Sequence, residues 1–318
     1  MSLAPFDSAV SAHVTSFELS FAESPACFTV EGLDTSGATS LARAFYNSPC
    51  VRADTTVWDV SRVTTLLETF RSAHAFNGDV SAWNTSQVTT LEATFYNATA
   101  FNRPLAAWDV SQVTTLFLTF SFAVAFNQPL AGWDVSKVTS LRATFSGAHR
   151  FNQSLAAWDV SGVTTFMVTF ANAWAFDGDV STWDTSGANT DMSFYQTFYK
   201  AHSFNQPLSG WNVSCGGLWG YLFYECTAFN QPLATWDLSR VTYTSKMFYG
   251  SKAFNQPLDS WDVARVTDMS FMFYQAAAFG QNLSGWDTSA VTVCTSFCAG
   301  SGGLAPPVRG PCFQGLAC

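Results

Sequence analysis

The chain is short of charge, and shorter still of basic charge. Of its 318 residues only 12% are charged, and fourteen Lys and Arg face twenty-three Asp and Glu, for a net charge of −9. A nucleic-acid surface relies on clustered cations that displace counterions from phosphates. The bases here are scattered, which excludes nucleic acid as a partner. No apolar run reaches the roughly 18 residues of a membrane span. The opening segment, MSLAPFDSAVSAHVTSFELS, has no basic leader and no continuous apolar stretch, so a signal peptide is read as absent or already removed. Histidine is scarce. His74, His149 and His202 fall in one column of the repeat described below, but three and two repeats apart, too far for shared zinc ligation. No Cys-x-x-Cys pair, phosphate loop or nucleophile elbow occurs, and the chain is not expected to be an enzyme or to carry a cofactor.

What the chain has in abundance is one sentence, rewritten. Trp-Asp or Trp-Asn pairs stand at Trp58, Trp83, Trp108, Trp133, Trp158, Trp183, Trp211, Trp236, Trp261 and Trp286, at one constant interval that widens only between Trp183 and Trp211. Leu33 stands the same interval before Trp58 in a degenerate copy, which makes eleven units over residues 33–298. Residues 1–32 are then an N-terminal cap and 299–318 a C-terminal cap. A period of about 20–29 residues indicates a solenoid, in which single units cannot bury their apolar faces and neighbours supply one continuous core. A WD40 propeller is excluded, because its blades need about 40–45 residues.

Within a unit the apolar letters show two periods. Leu130, Trp133 and Val135 read L-x-x-W-x-V, which predicts a short strand with a buried Trp. Val138, Leu141, Phe145 and Ala148 follow at steps of 3, 4 and 3, the stripe of a short amphipathic helix. Asn127 and Pro129 turn the chain back, and the Asn column is expected to pair with backbone groups left open there. The expected fold class is an α/β solenoid, a leucine-rich-repeat-like stack of strand and short-helix units with capped ends.

The unit F-N-Q-P-L-x-x-W-D-V-S-x-V-T, and the stretch WDVARVTDMSFMFYQAAAF at 261–279, resemble the repeat of the BspA-like leucine-rich repeat surface proteins of the Listeria and Mycoplasma type. Thr69, Thr94, Thr119 and Thr144 stand where Met is expected and where Met247 and Met272 keep it. The resemblance implies a surface or adhesion role and brings no catalytic residues with it.

Any site in such a stack is a column of equivalent residues, roughly 5 Å apart at the strand spacing. The outward Asp column, including Asp109, Asp134 and Asp159, has two readings. Each carboxylate caps its own Asp-Val-Ser turn, helped by Arg62, Lys137, Arg240 and Arg265, or neighbouring carboxylates recruit a hard cation such as Ca²⁺. Thr pairs such as Thr64-Thr65 resemble the ranked threonines of ice-binding solenoids, but a position near a helix start argues for helix capping. Trp174 and Trp219 lie outside the Trp ladder and are expected to be exposed. Three added residues between Ser186 and Phe198, with Gly216, Gly217 and Gly220 just beyond, mark an altered patch around Trp219.

Eight cysteines, an even number, suggest an oxidising compartment. In the N-terminal cap Phe17, Leu19 and Phe21 alternate as a strand, and Cys27 is expected to bond Cys50. At the other end Cys294 and Cys298 share a face, with Cys312 and Cys318 as their partners. Cys226 falls in a small buried column, and Cys215 is unassigned. The expected function is a non-enzymatic, surface-displayed adhesion or binding scaffold, extracellular or on a cell or particle surface. It would contact polysaccharide, protein or a copy of itself many times over, through the Asp column or the Trp219 patch. The alternative is a structural component of a filament, cell covering or virus particle.

Overall fold

A computed structural model describes residues 14–190, 192–307 and 312–313. The chain divides into two compact units, Met1–Gly162 and Val163–Cys318. Both are built from turns. Among the described residues there is no helix, and the strands are limited to β1 (Thr29–Val30), β2 (Arg52–Ala53), β3 (Gly217–Leu218) and β4 (Val241–Tyr243), paired in parallel as β1–β2 and β3–β4.

The L-x-x-W-x-V segment is therefore not the strand. Leu105 accepts from the Trp108 amide at 3.0 Å and Val110 from the Val113 amide at 2.8 Å, so each apolar pair closes one tight turn and points both side chains inward. The extended part of the repeat comes next, at Val-Thr-Thr, where Ser40, Thr65 and Thr90 form successive parallel bridges, as do Thr115 and Ser140. This removes the helix start that would have made these threonines caps. Thr64, Thr89 and Thr114 instead donate their hydroxyls to the carbonyl of the Thr one repeat earlier.

The expected helix is also replaced. Over residues 66–73 the amides of Thr69, Arg71 and Ala73 donate three residues back, while those of Glu68, Phe70 and Ser72 donate to Glu92, Thr94 and Tyr96 of the next repeat at 2.9, 2.9 and 2.7 Å. Glu68 and Ser72 are left-handed, at φ 52° and 56°. A helix would keep every donor within its own segment; here a neighbouring repeat offers acceptors in register, so alternate donors leave. Apolar residues at Leu66, Phe70 and Ala73 serve either arrangement, and the period alone cannot separate them. The cost is a pair of left-handed residues per repeat, each about 1–2 kcal/mol when not glycine. The second of the pair is accordingly Asn at 47, 97 and 172 and Gly at 147, 250 and 300. The N-terminal segment expected as a strand takes the same form. Leu19 and Glu23 are left-handed, and the Phe21 and Glu23 amides donate to Ala44 and Tyr46, so the cap contains the turn half of one more repeat.

Aromatic columns fill each unit. In the first, Phe70, Phe95, Phe120 and Phe145 stack at 5.6–5.8 Å beside a second file, Phe76, Phe101, Phe126 and Phe151, at 5.9–6.0 Å. In the second, Phe170, Phe198, Phe223, Phe248 and Phe273 repeat the arrangement. The indoles form the third file. Trp133 is 2% exposed, and its ring N–H donates to the Leu105 carbonyl, in the repeat before, at 2.9 Å. The same bond recurs at Trp108, Trp158, Trp236 and Trp286. Trp58 differs: its buried N–H has no partner among the described residues, and the equivalent carbonyl, Val30, lies in β1, where it accepts the Asp54 amide. Thr69 and Thr144 use the expected Met position to satisfy backbone, each hydroxyl lying within 3.0 Å of one carbonyl in its own repeat and one in the repeat before.

Disulfides close both ends. Cys27 bonds Cys50 and Cys294 bonds Cys312, as expected. Cys298 is disulfide-bonded as well, while Cys318 lies outside the described residues. Cys215 and Cys226 remain thiols, and Cys226 is buried, which pushes its pKa up.

Trp133→Ala should cost roughly 3–5 kcal/mol in urea unfolding, through the cavity and the lost indole bond to the Leu105 carbonyl. A second expectation concerns Gly147, where a Cβ would come within 2.6 Å of the Phe122 ring at a φ of 69°. Gly147→Ala should destabilise by about 1–2 kcal/mol, and by less in a Phe122→Ala background, a difference that a double-mutant cycle reads directly.

Candidate functional site

The Asp column stands where expected and is occupied with its own backbone. Oδ1 of Asp109, Asp134 and Asp159 accepts the amide of the Ser two residues on at 3.0, 3.0 and 3.1 Å. The Ser136 and Ser161 hydroxyls add bonds of 2.6 and 2.7 Å. All three carboxylates are exposed. Asn84 and Asn212 make the same amide bond, so the turn requires an acceptor rather than a charge. The hydroxyl and amide donors of Ser111 and Ser136 hold Asp109 and Asp134 below the usual carboxylate range. Lys137 contributes less to Asp134, because its ammonium donates to Gln112 at 2.7 Å. Among the described residues no group of three His, Cys, Asp or Glu could hold a metal.

Trp219 corrects the expectation of an exposed patch. It is 1% exposed, at the end of β3, and meets Phe194 and Trp236 edge-on at 6.0 and 5.4 Å. Its indole N–H donates to Gly216 at 3.1 Å. The physical reason lies in the register: Trp219 stands one repeat after Phe194, in the buried column where other repeats carry Leu, and the small Thr244 follows it. Trp174, by contrast, is 46% exposed and stacks on His202 at 6.3 Å.

What the altered repeats do present is tyrosine. In the second unit Phe198, Phe223, Phe248 and Phe273 of the inner file are each followed by a Tyr at the surface, and Tyr199, Tyr224, Tyr249 and Tyr274 stack half-buried at 4.8, 4.5 and 4.9 Å. The adjacent column carries Tyr221, Lys246 and Phe271 on left-handed backbone. The Lys246 ammonium donates to the Tyr221 hydroxyl at 3.0 Å and lies 4.9 Å from that ring and 5.6 Å from Phe271. Tyr243 lies over Gly220, where a Cβ would fall 2.3 Å from its ring, so the glycine there makes room for an aromatic side chain. The signal lies in the sequence, as Phe-Tyr pairs one repeat apart beginning at Phe198, Phe223, Phe248 and Phe273, beneath the longer Trp and Phe columns.

Three consecutive matches, over residues 15–133, 117–217 and 218–306, place the chain in the family described as Mycoplasma protein of unknown function, DUF285, and the chain belongs to that repeat family. No curated protein matches it.

The depressed Asp pKa values have a sign. Groups whose folded pKa lies below the unfolded one stabilise the fold above the ordinary carboxylate range, and that contribution disappears as pH falls through the folded value. Urea midpoints should therefore hold from neutral pH down to about 5 and drop below about 4. An Asp109→Asn/Asp134→Asn variant should keep the neutral-pH midpoint, since Asn caps the same turn, and lose less of it under acid.

Proposed function

We propose that the chain is a non-enzymatic binding scaffold displayed outside the cell, of the BspA-like leucine-rich repeat type, each unit a solenoid of turns. It makes many weak, equivalent contacts with a polysaccharide or protein surface. The observation that carries this reading is the repetition of one outward side chain at the stacking interval, in the Asp column of the first unit and the Tyr column of the second. Such an array suits a partner that is itself periodic, because avidity raises affinity by orders of magnitude without any single strong contact. The disulfides at both ends support an extracellular setting, since thiols are kept reduced in most cytosols. A general acid, base or nucleophile needs an isolated group tuned by its surroundings; the surface carboxylates here are tied one by one to their own turns.

Glycan and protein arrays probed with the purified chain, with and without Ca²⁺, test the reading. Retention on at least one class of polymer is expected. Replacement of Asp109, Asp134 and Asp159 together by Asn tests the column: weakened retention makes it a contact surface, and unchanged retention leaves it a turn cap. Turnover of any arrayed glycan would overturn the non-enzymatic assignment.

A further inference from the structure

We propose that the tyrosine face of the second unit is a binding site for an acidic glycan, whose carboxylate or sulfate seats at Lys246 while its sugar hydroxyls run along the Tyr224–Tyr249–Tyr274 row. This rests on the binding-scaffold reading and gives it a place and a ligand class.

The charge on this face is local and incompletely answered. Lys200 lies 3.7 Å from Glu225, which balances it. The Lys246 ammonium has no carboxylate within ion-pair distance among the described residues; its polar contact is the Tyr221 hydroxyl, and aromatic rings flank it. A cation held between rings is partly stripped of water, which strengthens its pull on an anion that reaches it. Two of its three N–H groups are left for that anion once Tyr221 has taken one. On a chain of net charge −9 the attraction is short in range, so it acts on one acidic group at a time and leaves recognition of the rest of the polymer to the tyrosine row.

The row itself argues for sugar over other polymers. Its rings stack face to face at 4.5–4.9 Å, so ring edges and hydroxyls, not faces, meet the solvent. Base stacking, which single-stranded nucleic acids need, has no open ring face inside the row. Peptide strands bind by extending a sheet edge, but the backbone here is committed: Lys200, Glu225, Gly250 and Gln275 donate to Tyr224, Tyr249, Tyr274 and Ala299 of the following repeats. Burial pushes the Tyr195 and Tyr224 phenols up, away from ionisation, so they remain donors as well as acceptors. A line of such groups at one interval matches a linear glycan, which offers the same hydroxyls at every sugar.

Binding of the full chain to polygalacturonate, sulfated dextran and uncharged dextran, with polyglutamate as the peptide arm, tests the proposal. Polygalacturonate or sulfated dextran is expected to bind, the difference between them naming the anion, while uncharged dextran and polyglutamate bind far more weakly. Lys246→Met, which keeps the apolar stem, should weaken binding about tenfold or more. Tyr249→Phe, which removes one hydroxyl and keeps the stacked ring, should weaken it severalfold. Thermal midpoints matching the wild type show that each variant is folded. Binding that survives Lys246→Met, or polyglutamate binding as strongly as the glycans, would overturn the site. If acidic glycans fail while neutral glycans or proteins on the arrays bind, this inference falls and the scaffold stands; if nothing binds on any surface, both fall.

Discussion

Each repeat depends on backbone amides that donate to the repeat beside it. In residues 66–73 every second N–H leaves its own turn for a carbonyl in residues 90–96. This exchange lets a segment of irregular backbone lie against a packed core without burying unpaired polar groups, which cost about 1–3 kcal/mol each. It also sets the spacing that all side chains inherit. A repeat without a neighbour would leave half of these donors open, so the last repeat at an end needs a substitute. The first repeat has the converse need, carbonyls with no preceding repeat to donate to them, and the N-terminal segment meets it with turn backbone of its own, its Phe21 and Glu23 amides donating to Ala44 and Tyr46 and a disulfide holding it in place.

The aromatic files follow from the same exchange. Once successive turns are locked at one interval, a ring at a fixed position must sit on the ring before it, and the Phe files do so at 5.5–6.0 Å. Trp adds a polar tie to this packing, because its N–H reaches a carbonyl in an earlier repeat and so tethers repeats through side chain and backbone together. Thr at the expected Met position exchanges apolar volume for a further bond of this kind. Where the core widens, the register accommodates it: Trp219 takes a Leu position, and Thr244, the next residue of that column, is small.

The surface is what remains once the backbone has been satisfied. Carboxylates at Asp109, Asp134 and Asp159 cap turns with one oxygen and leave the other outward, so their structural use does not exhaust them. The tyrosines differ, because it is their rings that build the stack, and no backbone turn among the described residues is capped by a hydroxyl of the row. A group that can be altered without loosening the fold is where a repeat protein can acquire a partner, which is why the Tyr column rather than the Asp column carries the ligand assignment.

Much of this was legible in the letters. Spacing alone located the repeats, the buried Trp and Phe columns and the turn-capping Asp, because equivalent residues in a stack share one environment, and cysteine placement located the bond from Cys27 to Cys50. The pairing of amides across repeats was not legible. Apolar steps of 3 and 4 satisfy a helix and a chain of left-handed turns alike, and L-x-x-W-x-V satisfies a strand and a pair of turns. The recurring Asn and Gly at 47, 97, 147 and 172 hinted at the turns, but most left-handed positions carry ordinary residues, Val168 among them. Which way a given amide points is decided only when a neighbouring repeat offers it an acceptor. The sequence by itself therefore determined what recurs and what is buried; the tertiary structure decided how the backbone bends between those points, since that choice belongs to hydrogen bonds made between repeats and not within them.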